Sequence, residues 1–222
     1  PYFSEMAEDF LKGTESIVFI GTKPPVSFFA YPDKKSFLSP DEAELFELCS
    51  VEENGYEALA LLSELSGSPK IANELIRPYI ADVPTSGDLD VTTLGPLIAD
   101  IMPEESIVSD ESATSSLIVT PHALQAKPHD WLALTGGSIG QGLPLAIGAS
   151  IAKPDRPVIT LHGDGGAMYT VQALWTQARE NLNITNIIFS NRSYEILKIE
   201  LDRVQAVETG ERAASMFSMD NP

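Results

Sequence analysis

The sequence predicts an α/β fold: a doubly wound parallel sheet, preceded by part of a second α/β domain. Three observations carry this expectation. From Asp90 onward, short apolar and β-branched runs alternate with helical patterns, the grammar of a parallel sheet covered on both faces. Glycine-rich segments follow two of those runs, at Gly136–Gly142 and Gly163–Gly166, where such sheets bind their ligands. A separate block of strand and helix patterning occupies the first 65 or so residues and is broken off by Ser66-Gly-Ser-Pro69.

In the opening block, Ile17-Val-Phe-Ile-Gly21 reads as a buried strand ending in the loop at Lys23-Pro-Pro25. A second apolar stretch spans Phe46 to Val51. Gly55 to Leu65 then places Ala58, Leu59, Leu62 and Leu65 at helical spacing. Residues 1–66 are therefore assigned to the end of one domain. Residues 67–90, with scattered Gly, Pro, Asp and Ser, read as a linker holding one helix at Ile71–Ile80. The second domain covers 91–222.

Within that domain Thr92 or Thr93 is placed to cap a helix running to about Ile101. Ile107-Val-Ser109 is a strand, followed by the polar, helix-initiating Asp110–Ser115. Trp131-Leu-Ala133 is the next strand, and a small-residue helix runs from Leu143 to Ala152. Pro157–Leu161 is a β-branched strand, Tyr169–Asn181 an amphipathic helix, and Asn186–Phe189 another strand.

Composition narrows the function. With 43% apolar residues in 222, the chain is globular in character. Fourteen basic residues face 32 acidic ones, a net charge of −18. That balance repels nucleic acid and anionic membranes, so neither is expected as a partner. A single small polyanion remains open, because amides, a helix start and a cation bind it locally. Cys49 is the only cysteine, which leaves no intrachain disulfide and no cysteine-based zinc site. No apolar run reaches the roughly 18 residues of a membrane span and no signal peptide opens the chain, so a cytoplasmic location is expected. The missing initial Met and the end at Phe217–Pro222, which shows no closing element, read as cuts in a longer protein.

The chemistry concentrates after the strand 157–161. His162-Gly-Asp-Gly-Gly-Ala167 leads straight into a helix; its glycines let backbone approach an anion closely, and the helix start offers amides. A carboxylate in such a loop would repel phosphate unless a cation sat between them. Mg2+ takes an octahedral set of oxygens, commonly one or two protein ligands with phosphate oxygens and water. Asp164 supplies one ligand. Asn191 lies 27 residues further on, after one helix and one strand, so a right-handed crossover makes the two loops neighbours. The Asn191 side chain and the Ser193 carbonyl can complete the protein's share.

Gly-Asp-Gly followed after about 27 residues by Asn resembles the thiamine diphosphate (ThDP) signature of the pyruvate-decarboxylase-like superfamily. The resemblance extends through Thr135-Gly-Gly-Ser-Ile-Gly-Gln-Gly-Leu-Pro-Leu-Ala-Ile-Gly-Ala149, Asp155-Arg-Pro-Val-Ile-Thr-Leu-His-Gly-Asp-Gly165 and Gln172-Ala-Leu-Trp-Thr176. It covers roughly residues 90–210 and is similar to the pyrophosphate-binding domain of acetolactate synthase large-subunit-like and benzoylformate decarboxylase-like enzymes. The first 65 residues resemble the end of that family's central, Rossmann-like domain.

The resemblance implies ThDP and Mg2+ as cofactors and a role for each matching residue. Asp164 and Asn191 would ligate Mg2+ by side chain and Ser193 by its carbonyl. Gly163, Gly165, Gly166 and Ala167 would cradle the diphosphate. Ile139 would prop the cofactor into its bent form, with the Gly137 carbonyl and the Ile139 amide on the aminopyrimidine edge and Ser138 between them. Glu111, Thr114 and Ser115 match the segment that reaches the diphosphate and the substrate side; Tyr169 and Tyr194 complete the implied cofactor contacts. The implied reaction is decarboxylation of a 2-oxo acid, with the cofactor as electron sink, and transfer of the remaining acyl group. The activating glutamate is implied to lie in an N-terminal domain outside this sequence, contributed by a partner subunit. This stretch alone is therefore expected to be inactive, its catalytic residue unassigned, and its parent a homodimer or homotetramer.

Departures from the family pattern sort the alternatives. Ser190 stands where the family often has a first Asn, Gly166 where it often has Ser, and Ile139 where acetolactate synthases proper carry Met. Ser193-Tyr-Glu-Ile-Leu197 leans towards the decarboxylases. Three readings stay open: an acetolactate synthase-like lyase or carboligase, a benzoylformate-type decarboxylase, and a non-catalytic ThDP-binding paralogue or regulatory subunit. A nicotinamide site at Gly136–Gly142 is disfavoured because the spacing departs from Gly-x-Gly-x-x-Gly. His162 reads as a strand-end residue, His122 and His129 as residues of a polar loop, Trp175 as core, and Glu42–Glu53 as a solvated face.

Overall fold

The computed structural model describes residues 3–67, 83, 86–123, 125–204 and 210–220. The chain divides into two compact units, Pro1–Asn73 and Glu74–Pro222. Most of the expected linker, with its helix at 71–80, lies outside the described residues.

The first unit contains α1 (Ser4–Leu11), β1 (Ser16–Ile20), β2 (Glu44–Cys49) and α2 (Gly55–Leu65). β1 and β2 pair in parallel from Ser16 opposite Glu44 to Ile20 opposite Cys49, burying Phe19 and Cys49. Asn54 caps α2: its Oδ1 accepts the amides of Tyr56 and Glu57 at 3.2 and 3.3 Å, which supplies orphan donors of the first turn with an acceptor. A Cβ at Gly55, the helix's first residue, would lie in contact with Ile20 Cγ2 at 3.4 Å. As expected, the acidic stretch 42–53 is mostly exposed.

In the second unit α3 (Val91–Ile101) leads into β3 (Ile107–Glu111), a 3-10 turn at Ala113–Ser115, α4 (Ser116–Ala123) and β4 (Asp130–Ala133). Then follow α5 (Gly142–Ala152), β5 (Val158–Gly163), α6 (Asp164–Ala167), α7 (Ala173–Arg179), β6 (Ile184–Phe189), α8 (Glu195–Arg203) and α9 (Glu211–Ser215). The sheet runs β4-β3-β5-β6, every pair parallel. Its order reverses between β3 and β5, and that switch point is where an open α/β sheet leaves a crevice beyond its carboxyl ends.

β3 is buried along its whole length and β5 along its first five residues, as parallel central strands require. Successive side chains point to opposite faces. One face packs Val108, Ile159 and Leu161 against Ile98, Met102, Val119 and Ala123 of the α3–α4 layer. The other packs Ile107 and Val158 against Ala146 and Ala149 of α5. Burying each such large aliphatic side chain contributes about 1.5–3 kcal/mol. This is the doubly wound α/β arrangement the sequence predicts.

Four local expectations change. The cap of α3 is Asp90 rather than Thr92 or Thr93: Asp90 Oδ1 accepts both threonine amides, at 2.8 and 2.9 Å, while Thr93 Oγ1 accepts the Asp90 amide at 3.0 Å. The expected helix 169–181 is shorter, because turns of the 3-10 type occupy 168–172 and Thr170 Oγ donates to the Gly140 carbonyl at 2.6 Å. Trp175 is 64% exposed rather than core, its ring lying beneath the Arg179 guanidinium at 4.6 Å. His122 belongs to α4, not to a loop, and its ring packs where a Cβ on Gly95 would come to 3.1 Å. Among the described residues no helix is long and apolar enough to cross a membrane.

Candidate cofactor and metal site

The ends of β3, β5 and β6 bring most of the implied site residues to one edge of the sheet. The glycine loop 136–142 follows β4 and enters α5. Asp164 opens α6 directly after β5, and Asn191 follows β6. His129 precedes β4 and so lies at the opposite, amino edge, bonded through Nδ1 to the Lys127 carbonyl at 2.7 Å. A cavity of about 320 Å³ lined by Ile107, Trp131, Ala149 and Arg156 is also at that amino edge, away from the loops that carry the chemistry.

Asp164 is the meeting point of two loops. Its Oδ1 accepts the Gly165 amide at 2.9 Å. Its Oδ2 accepts the Arg192 amide at 2.8 Å and the Ser190 hydroxyl at 3.3 Å. Arg192 reaches this position with φ of 53°, a left-handed conformation uncommon for a side chain of its size. The turn lets Asn191 Oδ1 accept the Ser193 amide at 2.9 Å. Downstream backbone holds the loop from the other side: Tyr194 donates to Phe217 O at 2.9 Å and Met219 to Arg192 O at 2.8 Å. The chain end near Phe217, expected to lack a closing element, thus braces the loop.

The cradle 163–167 is narrow by construction. A Cβ on Gly165 would stand 2.8 Å from the Tyr194 ring, and one on Gly166 would stand 2.8 Å from Glu111 Oε1 and 2.9 Å from His162 Cε1. α6 begins at Asp164, and the amides of a helix's first turn have no intrahelical acceptor. Ala167 is buried beneath them against Leu143 and Ala173.

Glu111 ends β3 with its side chain 3% exposed. Oε1 accepts the Gly140 amide at 2.5 Å and Oε2 the Gly142 amide at 2.7 Å. His162 Nε2, fully buried, lies 3.2 Å from Oε2, and its Nδ1 lies 3.0 Å from the Gly163 carbonyl oxygen. Burial alone would push the Glu111 carboxyl up, but the His162 imidazole and the two amides outweigh it and hold it below the ordinary range. Strand alternation explains the neighbours. Ser109, on the same face as Glu111, donates to the Gly142 carbonyl at 2.9 Å. Asp110, on the other face, accepts the Ser112 hydroxyl at 2.6 Å and the Thr120 hydroxyl at 3.3 Å.

Other implied contacts are placed differently from one another. Thr114 and Ser115, half-buried, sit on the 3-10 turn packed against β5 and α8. Gly137, Ser138 and Ile139 are exposed, and the Ile139 amide donates to the Gly137 carbonyl at 2.8 Å, so the two groups implied for the aminopyrimidine edge are bonded to each other. Tyr169 is 58% exposed; its Cβ would collide at 2.7 Å with a Cβ on Gly140. The linking roles of Glu111, His162 and Thr170 were missed in the sequence, where only the strand-end position of His162 and the loop glycines signalled them.

The family described as "Thiamine pyrophosphate enzyme, C-terminal TPP binding domain" matches residues 113–222. Over its whole length the chain is 41% identical to a Mycobacterium tuberculosis protein provisionally named acetolactate synthase large subunit IlvX, covering 42% of that protein. It is 30% identical over 139 residues to a benzoylformate decarboxylase of Pseudomonas aeruginosa, which covers 63% of this chain and 26% of that one. The fold is shared with the ThDP-dependent 4-hydroxybenzoylformate decarboxylase of Rhodococcus jostii RHA1, with a TM-score of 0.72 at 22% identity over 100% of this chain and 43% of that one. The chain thus spans less than half the length of the relatives it matches.

Proposed function

Because the chain belongs, through residues 113–222, to the thiamine pyrophosphate enzymes, we propose that its sheet edge binds ThDP and Mg2+ as part of an acetolactate synthase-like 2-oxo acid decarboxylase or carboligase. The observation that carries the reading is the convergence of Asp164 with the loop 190–193. The donors there are one carboxylate, one amide side chain and backbone carbonyls. Among the described residues no group of three or more His, Cys, Asp and Glu converges, and so sparse a set of hard oxygens suits Mg2+ held jointly with a diphosphate. A Cβ at Gly165 or Gly166 would collide with the Tyr194 ring or with Glu111 and His162, so this segment is held as close-packed bare backbone at the strand end.

In this reading Asp164 and Asn191 hold the metal by side chain and Ser193 by its carbonyl. Gly163, Gly165, Gly166 and Ala167 receive the diphosphate, with Thr114 and Ser115 as hydroxyl donors from the turn after β3. Ile139, on the exposed stretch 136–139, supports the cofactor's rings, flanked by Gly137, Ser138 and Tyr169, while Tyr194 closes the cradle over Gly165. When bound, ThDP supplies an electron sink for the bond cleaved next to a carbonyl. The chain's own residues bind, orient and exclude water; the proton-transferring glutamate, the substrate and a homo-oligomeric, cytoplasmic parent are further parts of the proposal.

Calorimetric titration of ThDP into the full-length protein with and without Mg2+ tests it. Binding that requires Mg2+ is the expected result, and heat-silent titrations under both conditions would sink the reading. A benzoylformate-type decarboxylase is the second reading, favoured by the likeness over residues shared with the Pseudomonas aeruginosa enzyme. Turnover of pyruvate against benzoylformate separates the two, and turnover of neither in a protein that binds ThDP would indicate a non-catalytic paralogue.

A further inference from the structure

We infer that Glu111 is a positioning residue that joins the two halves of the site, its single carboxylate fixing the loop 136–142 against the strand end that carries the Asp164 cradle. The inference rests on the ThDP reading for what the halves bind, and on geometry for the joint itself.

Each oxygen of the carboxylate receives a backbone amide, Gly140 on Oε1 and Gly142 on Oε2. Two amides from one tight loop fix its height and its tilt together, which a single bond would not do. The glycines are required on steric grounds as well. Gly140 has φ of 89° and no room for a Cβ beside Tyr169; a Cβ on Gly142 would stand 2.8 Å from the His162 ring and 3.1 Å from Glu111 Cβ. Thr170 holds the opposite side of the same peptide segment by donating to the Gly140 carbonyl. The loop is therefore clasped between β3 below and the turn after α6.

The other side of the joint is the cradle. Glu111 Oε1 lies within 2.8 Å of where a Cβ on Gly166 would be, and His162, whose Nε2 is 3.2 Å from Oε2, immediately precedes Gly163. Glu111 thus touches the loop 136–142 through hydrogen bonds and the cradle through packing, at the switch point between β3 and β5, where it stands opposite His162 in the ladder. With both oxygens committed and the side chain buried, its effect on a ligand is exerted through the loop.

The test uses the full-length protein as wild type and as Glu111→Gln. Glutamine keeps the shape but offers an NH2 in place of one acceptor, so one glycine amide loses its partner. Two readouts are compared: amide hydrogen exchange of 136–142 and 163–167 without ligand, and calorimetric affinity for ThDP and for inorganic diphosphate, both with Mg2+. The expected result is exchange faster by about tenfold at 136–142 alone, ThDP bound about tenfold more weakly, and diphosphate unchanged because it engages only the cradle. Equal weakening of both ligands with unaltered exchange would make Glu111 a direct contact and overturn the proposal. If the wild type binds neither ligand while the exchange difference is present, the ThDP reading falls and the joint stands. Should Glu111→Gln not fold, Glu111→Asp, which keeps the charge and shortens the reach by a methylene, gives the same two readouts.

Discussion

Asp164 Oδ2 accepts the Arg192 amide at 2.8 Å, so the one carboxylate proposed to face Mg2+ also ties the loop after β5 to the loop after β6. Asp164→Ala removes the ligand and the tie together. Asp164→Asn keeps one oxygen to accept amides but loses the charge. Both variants are expected to weaken ThDP at fixed Mg2+ by at least about tenfold, with the Asn variant staying folded. Unchanged affinity in calorimetry would remove Asp164 from the metal site.

At Gly166 the surrounding atoms leave no room for a side chain. A Cβ would press on Glu111 Oε1 and His162 Cε1 at 2.8 and 2.9 Å, neither the free end of a flexible, exposed chain. Gly166→Ser is expected to cost about 1–3 kcal/mol of stability by overpacking and to weaken ThDP rather than add a phosphate donor. Thermal unfolding alongside calorimetry checks both; a tighter-binding, equally stable variant would contradict the collision.

The strands and the metal loop were legible because each is written locally. β-branched runs such as Val158–Leu161 have few alternatives to a buried parallel strand, and the interval from Asp164 to Asn191 measures one crossover. What was not legible depends on partners distant in sequence. Glu111 reads as one acid in a polar segment until β3 is placed beside the loop 29 to 31 residues later. Trp175 reads as core because helical spacing marks an apolar side chain without showing whether another layer covers it. Asp90, Thr92 and Thr93 all carry side chains able to cap a helix, and only the backbone geometry, extended at Asp90, decides between them.

Leu161 and Trp175 separate buried from merely apolar. Leu161 is fully buried between the sheet and the α3–α4 layer, so Leu161→Ala is expected to cost about 2–5 kcal/mol. Trp175→Ala forfeits an exposed stacking on Arg179, expected to be within about 1 kcal/mol. Denaturant unfolding of both variants checks the contrast, and equal losses would place Trp175 in a core.

Glu111 also sets a pH dependence. Burial pushes its carboxyl up from the ordinary value of 4.5, and the His162 imidazole with the Gly140 and Gly142 amides brings it lower overall. A carboxyl whose folded value is depressed contributes stability that is complete above its ordinary value. That contribution is lost as pH falls through the lower folded value. His162 is the titratable group facing it, and Glu111→Gln removes the carboxylate while leaving His162 in place. The difference in unfolding midpoint between wild type and Glu111→Gln is therefore expected to shrink as pH falls from about 5 through the acid range. Midpoints that run parallel down through the acid range would show that the carboxylate's charge plays no part in holding the loop.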